Sequence, residues 1–289
     1  MARFAVIGAL AMDRPVRLSA PLSAGARLSG VSLGGALAGR LGGGGANAGV
    51  ALLKAGHEVA LASLVAQDHD GDAALTAARH AGLDVGQVGR RAGPSRTTMI
   101  FVDPEGERTI IGLDLAAAVV LPELPAPQMT FDGAFVRSAY PGAEAWARAS
   151  RGPVIVHYPS AGFAGPADVL VASADDLDAE MSADPLAAGR ARMGERLQWA
   201  VITRGSAGAV AHGTDRTAIH VPAPSSVVDA TGAGDIFAAG LLEALSLGGS
   251  MEAALVHACA WGRVAVGLDS SAPVEAPADA FPSFRRALP

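Results

Sequence analysis

The stretch Val227-Val228-Asp229-Ala230-Thr231-Gly232-Ala233-Gly234-Asp235-Ile236-Phe237-Ala238-Ala239-Gly240 reads as a turn that opens a helix. Gly232 and Gly234, separated only by Ala233, allow backbone angles closed to larger residues and let another group approach the main chain. The run from Ile236 to Leu247 is apolar and long enough for a helix, with Gly248-Gly249 as its stop. A helix N-terminus exposes unpaired N–H groups and a partial positive charge, so it favours anions. Asp235 stands in the first turn, where an acid commonly serves only as a partner for the helix dipole. Beside an anion cradle it can also accept a proton. Phosphoryl transfer to a hydroxyl needs those two elements together: donors that absorb charge and a base aimed at the nucleophile.

Composition narrows the alternatives. A chain of 289 residues can form one large α/β domain or two small ones and bury a substantial core. Hydrophobic residues make up 50% and mean hydropathy is +0.32, but Ala and Gly carry much of that value. No apolar run reaches the roughly 18 residues of a membrane span; the longest, Asp235 to Leu247, is broken by Glu243. A net charge of −6 and the lack of a basic stripe argue against a nucleic-acid partner. Lys54 is the only lysine and no G-x-x-x-x-G-K-[ST] loop exists, which excludes a P-loop nucleotide site. Gly8 is followed by Ala9-Leu10-Ala11 rather than G-x-G-x-x-G, so a dinucleotide-binding oxidoreductase is also a poor fit. Cys259 has no second cysteine to pair with, and a strand pattern begins at Arg3 with no signal peptide before it. Both features lead to an expected cytoplasmic setting.

Along the chain, residues 4–8 read as a buried strand, with Asp13 beyond its C-terminal end, where α/β sheets bind ligands. Residues 14–40 show short alternating pieces without a helical period. Four consecutive glycines, Gly42 to Gly45, then run into Ala46-Asn47 and an Ala/Leu-rich helix ending near Gly56. Bare backbone of that kind suggests that something packs against it, and Asn47 offers both a donor and an acceptor. A strand is expected over 59–65, a helix over 73–84 and a strand starting at Leu83-Asp84-Val85. Residues 97–111 have the pattern of a hairpin around an acidic turn. From about residue 131, strands at 133–136, 153–157, 168–171, 199–203 and 208–212 alternate with helices at 143–150 and 185–197. That alternation predicts a mostly parallel sheet with helices on both faces. His257 lies on a helix of small residues and reads as a packing residue.

Asp229-Ala230-Thr231-Gly232-Ala233-Gly234-Asp235 resembles the D-T-x-G-A-G-D signature of the ribokinase-like (PfkB) carbohydrate kinases. The Gly-rich run through Asn47, with Gln67-Asp68-His69-Asp70-Gly71 after the next strand, is similar to that family's first signature. The resemblance covers nearly the whole chain. It implies one α/β domain over 1–289 in three α/β/α layers, with a mostly parallel sheet and a small β-rich lid from about 14–40 and 90–112. It puts the catalytic base at Asp235 and the anion hole at Gly232, Ala233 and Gly234. Sugar hydroxyls fall to Asp13, Gly42, Gly43 and Asn47. Val201-Ile202-Thr203-Arg204-Gly205-Ser206-Ala207-Gly208 matches the family's T-x-G-x-x-G, which puts the ATP phosphates and base near Thr203, Gly205 and Gly208, with adenine near Ala258 and Ala260.

The resemblance also implies magnesium, which a family Glu engages through water; here Ser173 and Asp176 stand where the family has N-x-x-E. A monovalent cation such as potassium would sit near Asp229. Ala11 replaces the Asn usual two residues before the sugar-binding Asp, so the pocket differs from that of a typical ribokinase. The implied activity is transfer of the ATP γ-phosphate to a hydroxyl of a small carbohydrate, and pairing of lids into a homodimer is a family habit. Two other readings are a nucleoside kinase of the same family and a non-catalytic sugar or nucleotide sensor on that scaffold. A sensor would have no need of Asp235, and an aromatic content of 4% gives a nucleobase few stacking partners.

Overall fold

The computed structural model describes residues 1–33, 39–105, 108–113, 120–214, 216–221, 230–268 and 271–284. Phe4 and Val6 of the first strand, β1 (Arg3–Ile7), face one hydrophobic core, while Ala5 and Ile7 face a second. A strand apolar on both faces belongs inside a covered sheet. The sheet runs in the order β14 (Arg216–Val221), β13 (Ala209–Gly213), β12 (Trp199–Thr203), β11 (Val169–Ser173), β10 (Val154–His157), β9 (Gly133–Val136), β1, β5 (Glu58–Ala66), β6 (Val88–Arg91). Every pairing from β12 to β6 is parallel, and β13 and β14 extend the edge antiparallel.

Helices α1 (Gly44–Lys54), α2 (His69–His80), α6 (Ala233–Ser246) and α7 (Met251–Val266) build the first core. Helices α3 (Ala143–Arg148), α4 (Ala179–Ala183) and α5 (Pro185–Met193) build the second. The fold is therefore the layered α/β arrangement expected, with the C-terminal ends of seven parallel strands, β12, β11, β10, β9, β1, β5 and β6, gathered along one edge.

A smaller sheet is made by β2 (Ala11–Leu18), β3 (Gly30–Ser32), β4 (Arg40–Gly42), β7 (Thr97–Val102) and β8 (Arg108–Leu113). Strand β2 pairs antiparallel with β3 and β4 and parallel with β7, and β7 and β8 form the expected hairpin.

The boundaries differ from expectation for local reasons. Asp13 lies within β2 rather than in a loop. Residues 90 and 91 belong to β6 of the large sheet, so the second part of the small sheet begins at Thr97. Helix α2 starts at His69, not 73, because the Asp68 carboxylate accepts from Gly71 N–H at 2.8 Å and caps it. The strand expected from Leu83 shrinks to one bridge between Ala60 and Asp84. Helix α5 stops at Met193, where Gly194 takes φ 90°. Helix α6 extends back to Ala233, into the glycine turn.

Beneath α6 a carboxylate ties the chain's ends to the core. Glu243 is fully buried. Its Oε1 accepts from His57 Nε2 at 3.0 Å and from Ser283 Oγ at 2.5 Å, while Phe284 N–H reaches both oxygens at 3.0 and 3.1 Å. His57 Nδ1 accepts from Ala2 N–H at 3.2 Å, which leaves Nε2 as the protonated nitrogen facing Glu243. His257 Nε2 lies 2.9 Å from Oε2. His257 thus packs as expected, but against a charge remote in sequence.

Burial alone would raise the Glu243 pKa; the surrounding histidines, Ser283 and Phe284 overcome it and bring the pKa from 4.5 down to about 2. A folded-state pKa below the unfolded one stabilises above the unfolded value and is lost as pH falls through the folded value. Glu243→Gln should therefore cost roughly 3 kcal/mol at neutral pH. Urea unfolding measured between pH 5 and about pH 2 should show wild type losing stability steeply and the variant only shallowly. Parallel curves would contradict this role for Glu243.

Candidate active site

Strand β1 delivers the chain to Gly8, and β9, its parallel neighbour, delivers Arg137 next to it. Helix α1 starts from the glycine run and brings Asn47 inward, 3% exposed; α6 brings Asp235 to the same point, 8% exposed. There Asp235 Oδ1 accepts from Arg137 Nε at 2.8 Å and Oδ2 accepts from Asn47 Nδ2 at 2.9 Å. A carboxylate only accepts, so these contacts fix which end of the Asn47 amide faces it. Asn47 Oδ1 is left buried without a partner. Asn47 was expected to hold a substrate hydroxyl; in the structure one of its amide N–H groups holds Asp235, while its oxygen has no protein partner.

The glycines make this approach possible. A Cβ on Gly44 would lie 2.5 Å from Arg137 Cγ and 2.9 Å from Asp235 Oδ1, and one on Gly42 would collide with the Asp13 carboxylate. Gly232, at φ 78°, caps α6 without a side-chain hydrogen bond. The Ala233 N–H turns back to Ala230 O at 3.2 Å, so it is not a free member of the expected anion hole. The Gly234 and Asp235 amides have no partner among the described residues. Of the three expected donors only the Ala233 N–H is engaged; Gly232 and Gly234, like Asp235, have no amide partner among the described residues.

His157, at the end of β10, was not anticipated. It is 7% exposed, its Nδ1 lies 2.6 Å from the Tyr158 carbonyl, and its Nε2 has no partner among the described residues. Burial lowers its pKa, and Arg137 lowers it further against the opposing pull of Asp235 and Asp176. Arg137 and Asp176 are thereby both in electrostatic reach of one imidazole. Asp176 is exposed on a single 3₁₀ turn after β11 (Ala174–Asp176).

A cavity of about 590 Å³ opens between the two sheets, walled by Asp13, Gly43, Ser95, Thr98, Ser138 and Tyr140 among others. Asp13 is 5% exposed, and Gly43 is the N-cap of α1. Asn47 and Asp235 do not line this wall; Gly43, which does, adjoins Gly44, where a Cβ would meet Asp235. Further along the strand edge, Thr203 Oγ1 donates to Ala172 O at 3.2 Å, and Gly205 and Gly208, at φ 52° and 84°, bound a 3₁₀ turn. Ala258 is fully buried in the first core, which leaves half-buried Ala260 as the outward-facing one of the two. A second cavity of about 460 Å³, bordered by Arg204, His212 and Asp184, includes none of the residues expected to bind nucleotide. Asp229 lies outside the described residues.

The pfkB family carbohydrate kinase model matches residues 1–132 and 160–277. The chain belongs to the pfkB family of carbohydrate kinases. Solved structures agree on the pfkB fold. Ribokinase from Thermotoga maritima aligns with a TM-score of 0.71 at 18% identity, over 98% of this chain and 97% of that one. Ribokinase from Cryptococcus neoformans in complex with ADP gives 0.72 at 20%, over 98% and 97%. A nucleoside kinase from Burkholderia thailandensis in complex with inosine gives 0.66 at 19%, over 96% of each chain. No curated protein matched the chain in sequence.

Within this pfkB-family site the two glycines of the α6 turn differ in kind. A Cβ on Gly232 would sit at positive φ, 2.6 Å from Asn47 Nδ2 and 2.8 Å from Ser271 O, whereas one on Gly234 would meet only His157 Nε2, at 3.9 Å. Gly232→Ala should lower stability by about 1–3 kcal/mol. Gly234→Ala should leave the melting temperature unchanged. Equal losses in thermal unfolding would contradict the geometry.

Proposed function

We propose that this kinase transfers the γ-phosphoryl group of ATP to a hydroxyl of a small carbohydrate, with Asp235 as general base. The observation that carries the reading is the placement of a carboxylate, held at both oxygens, on the same helix turn as two unpartnered amides. The acceptor would occupy the cavity between the sheets. Asp13 would accept from its hydroxyls there, with the backbone of Gly42 and Gly43 and the free Asn47 oxygen close by. Asp235 takes the hydroxyl proton as oxygen attacks phosphorus, and the Gly234 and Asp235 amides donate to the phosphoryl oxygens with Gly232 shaping the turn. The nucleotide would extend along the strand edge past Thr203, Gly205 and Gly208, with adenine towards Ala260.

The residues fit an ATP phosphate chain, because a helix N-terminus with orphan donors suits anions. For magnesium the fit is thinner: Asp176 is one exposed acid, and no group of three metal-ligating side chains occurs among the described residues. Magnesium, held by Asp176 through water and by the nucleotide, would neutralise charge on the phosphates. Asp229 is the corresponding proposal for a potassium ion.

A sugar acceptor is favoured over a nucleoside by the cavity wall, on which Tyr140 is the one aromatic ring among the described residues. No helix among the described residues is long and apolar enough to cross a membrane, and the reading places the enzyme in the cytoplasm. It includes self-pairing through the small sheet, which exposes Val31, Ile110 and Leu113.

The test is steady-state ADP formation with a panel of sugars, followed by Asp235→Asn on the best acceptor. The substitution should lower kcat by about 10²–10⁴-fold while acceptor affinity changes little. Equal loss of affinity and turnover would remove Asp235 from the role of base.

A further inference from the structure

Strand order fixes spatial order along the functional edge. Arg137 follows β9, His157 ends β10, Ser173 ends β11 and Thr203 ends β12, and these strands are consecutive in the sheet. His157 therefore stands between the Arg137–Asp235 pair and the Asp176 turn. In the proposed reaction the phosphoryl group has to cross that interval.

The ring's geometry leaves one atom for that position. A carbonyl only accepts, so the 2.6 Å contact with Tyr158 O puts a proton on Nδ1 and directs Nε2 to the site. Nε2 has no protein partner among the described residues, although the side chain is buried. Across from it lies Gly234, whose missing Cβ leaves a gap with nothing but Nε2 within 4 Å. The unpartnered amides of Gly234 and Asp235 belong to the helix end that borders this gap. An unpartnered ring nitrogen that opens onto a gap beside orphan amides is placed to meet a ligand atom between them.

The geometry points to His157 as a further catalytic residue, its Nε2 donating to the transferring phosphoryl group beside the α6 amides. This assignment rests on the phosphotransferase reading above. In the ligand-free protein, burial and Arg137 favour the neutral ring, with Asp235, Asp176 and the Tyr158 carbonyl opposing. Phosphates entering the gap add negative charge, so the ring takes a proton from solvent as nucleotide binds and returns it when ADP leaves. It makes and breaks no covalent bond. The acceptor oxygen forms the new bond to phosphorus, the bond to ADP breaks, and the hydroxyl proton goes to Asp235.

The experiment titrates the full chain with a non-hydrolysable ATP analogue by calorimetry, in two buffers of different ionisation enthalpy, alongside kinetics. Wild type should bind with net proton uptake. His157→Gln, a neutral donor of similar reach, should abolish the uptake while keeping more of kcat than His157→Ala, which should lose about 10²-fold. Gly234→Ala should weaken analogue binding by filling the gap. Wild-type binding without proton uptake, or a His157→Ala protein with unchanged kcat and affinity, would overturn the role of His157 while leaving the kinase reading intact. Failure of wild type to bind the analogue at all would overturn both.

Discussion

Two hydrogen bonds to one carboxylate organise the functional edge of this protein. Asp235 is held by Arg137 from the large sheet and by Asn47 from α1, so strand, helix and helix meet at one side chain. Each contact is charge-assisted, and Asp235 and Asn47 are nearly buried, where such bonds are stronger than at the surface. The glycine run exists because of this meeting. Helix α1 has to start close enough to Asp235 for Asn47 to reach it, and at Gly44 there is no room for a methyl group. Substituting any member of this triangle would move the first turn of α6, and with it the amides on which anion binding would depend.

The proposed phosphate cradle on α6 also links function to stability. Glu243, on the buried face of the same helix, gathers His57, Ser283 and Phe284 and so fixes the helix against both ends of the chain. A rigid base beneath the site suits a reaction that relies on positioning and fixed dipoles.

Much of the fold was legible in the sequence. Strand–helix alternation after residue 131 and the buried first strand announced a parallel sheet, because their apolar patterns match burial on two faces. The small sheet was visible as alternating pieces and a hairpin, but its start at Ala11 was not, since β2 gains its partners from residues 30–42 and 97–102. The glycine turn and Asp235 stood out because local backbone chemistry marks them. Arg137 and His157 did not, because the one follows and the other ends an ordinary strand. Only the lateral order of β9 and β10 brings them to α6. A polar residue closing an otherwise apolar strand, as in Phe135-Val136-Arg137 and Val156-His157, was the available signal. Asn47 was recognised as important, but its partner lay on another helix and could not be read locally.

In the proposed reaction the N-terminal turn of α6 receives the phosphoryl group beside Asp235. A crystal structure of the protein with a non-hydrolysable ATP analogue and a phosphorylatable sugar tests it most directly. A γ-phosphate oxygen should lie within hydrogen-bond distance of the Gly234 and Asp235 amides, with a sugar hydroxyl facing Asp235. A terminal phosphate bound elsewhere, with those amides still unpartnered, would contradict it.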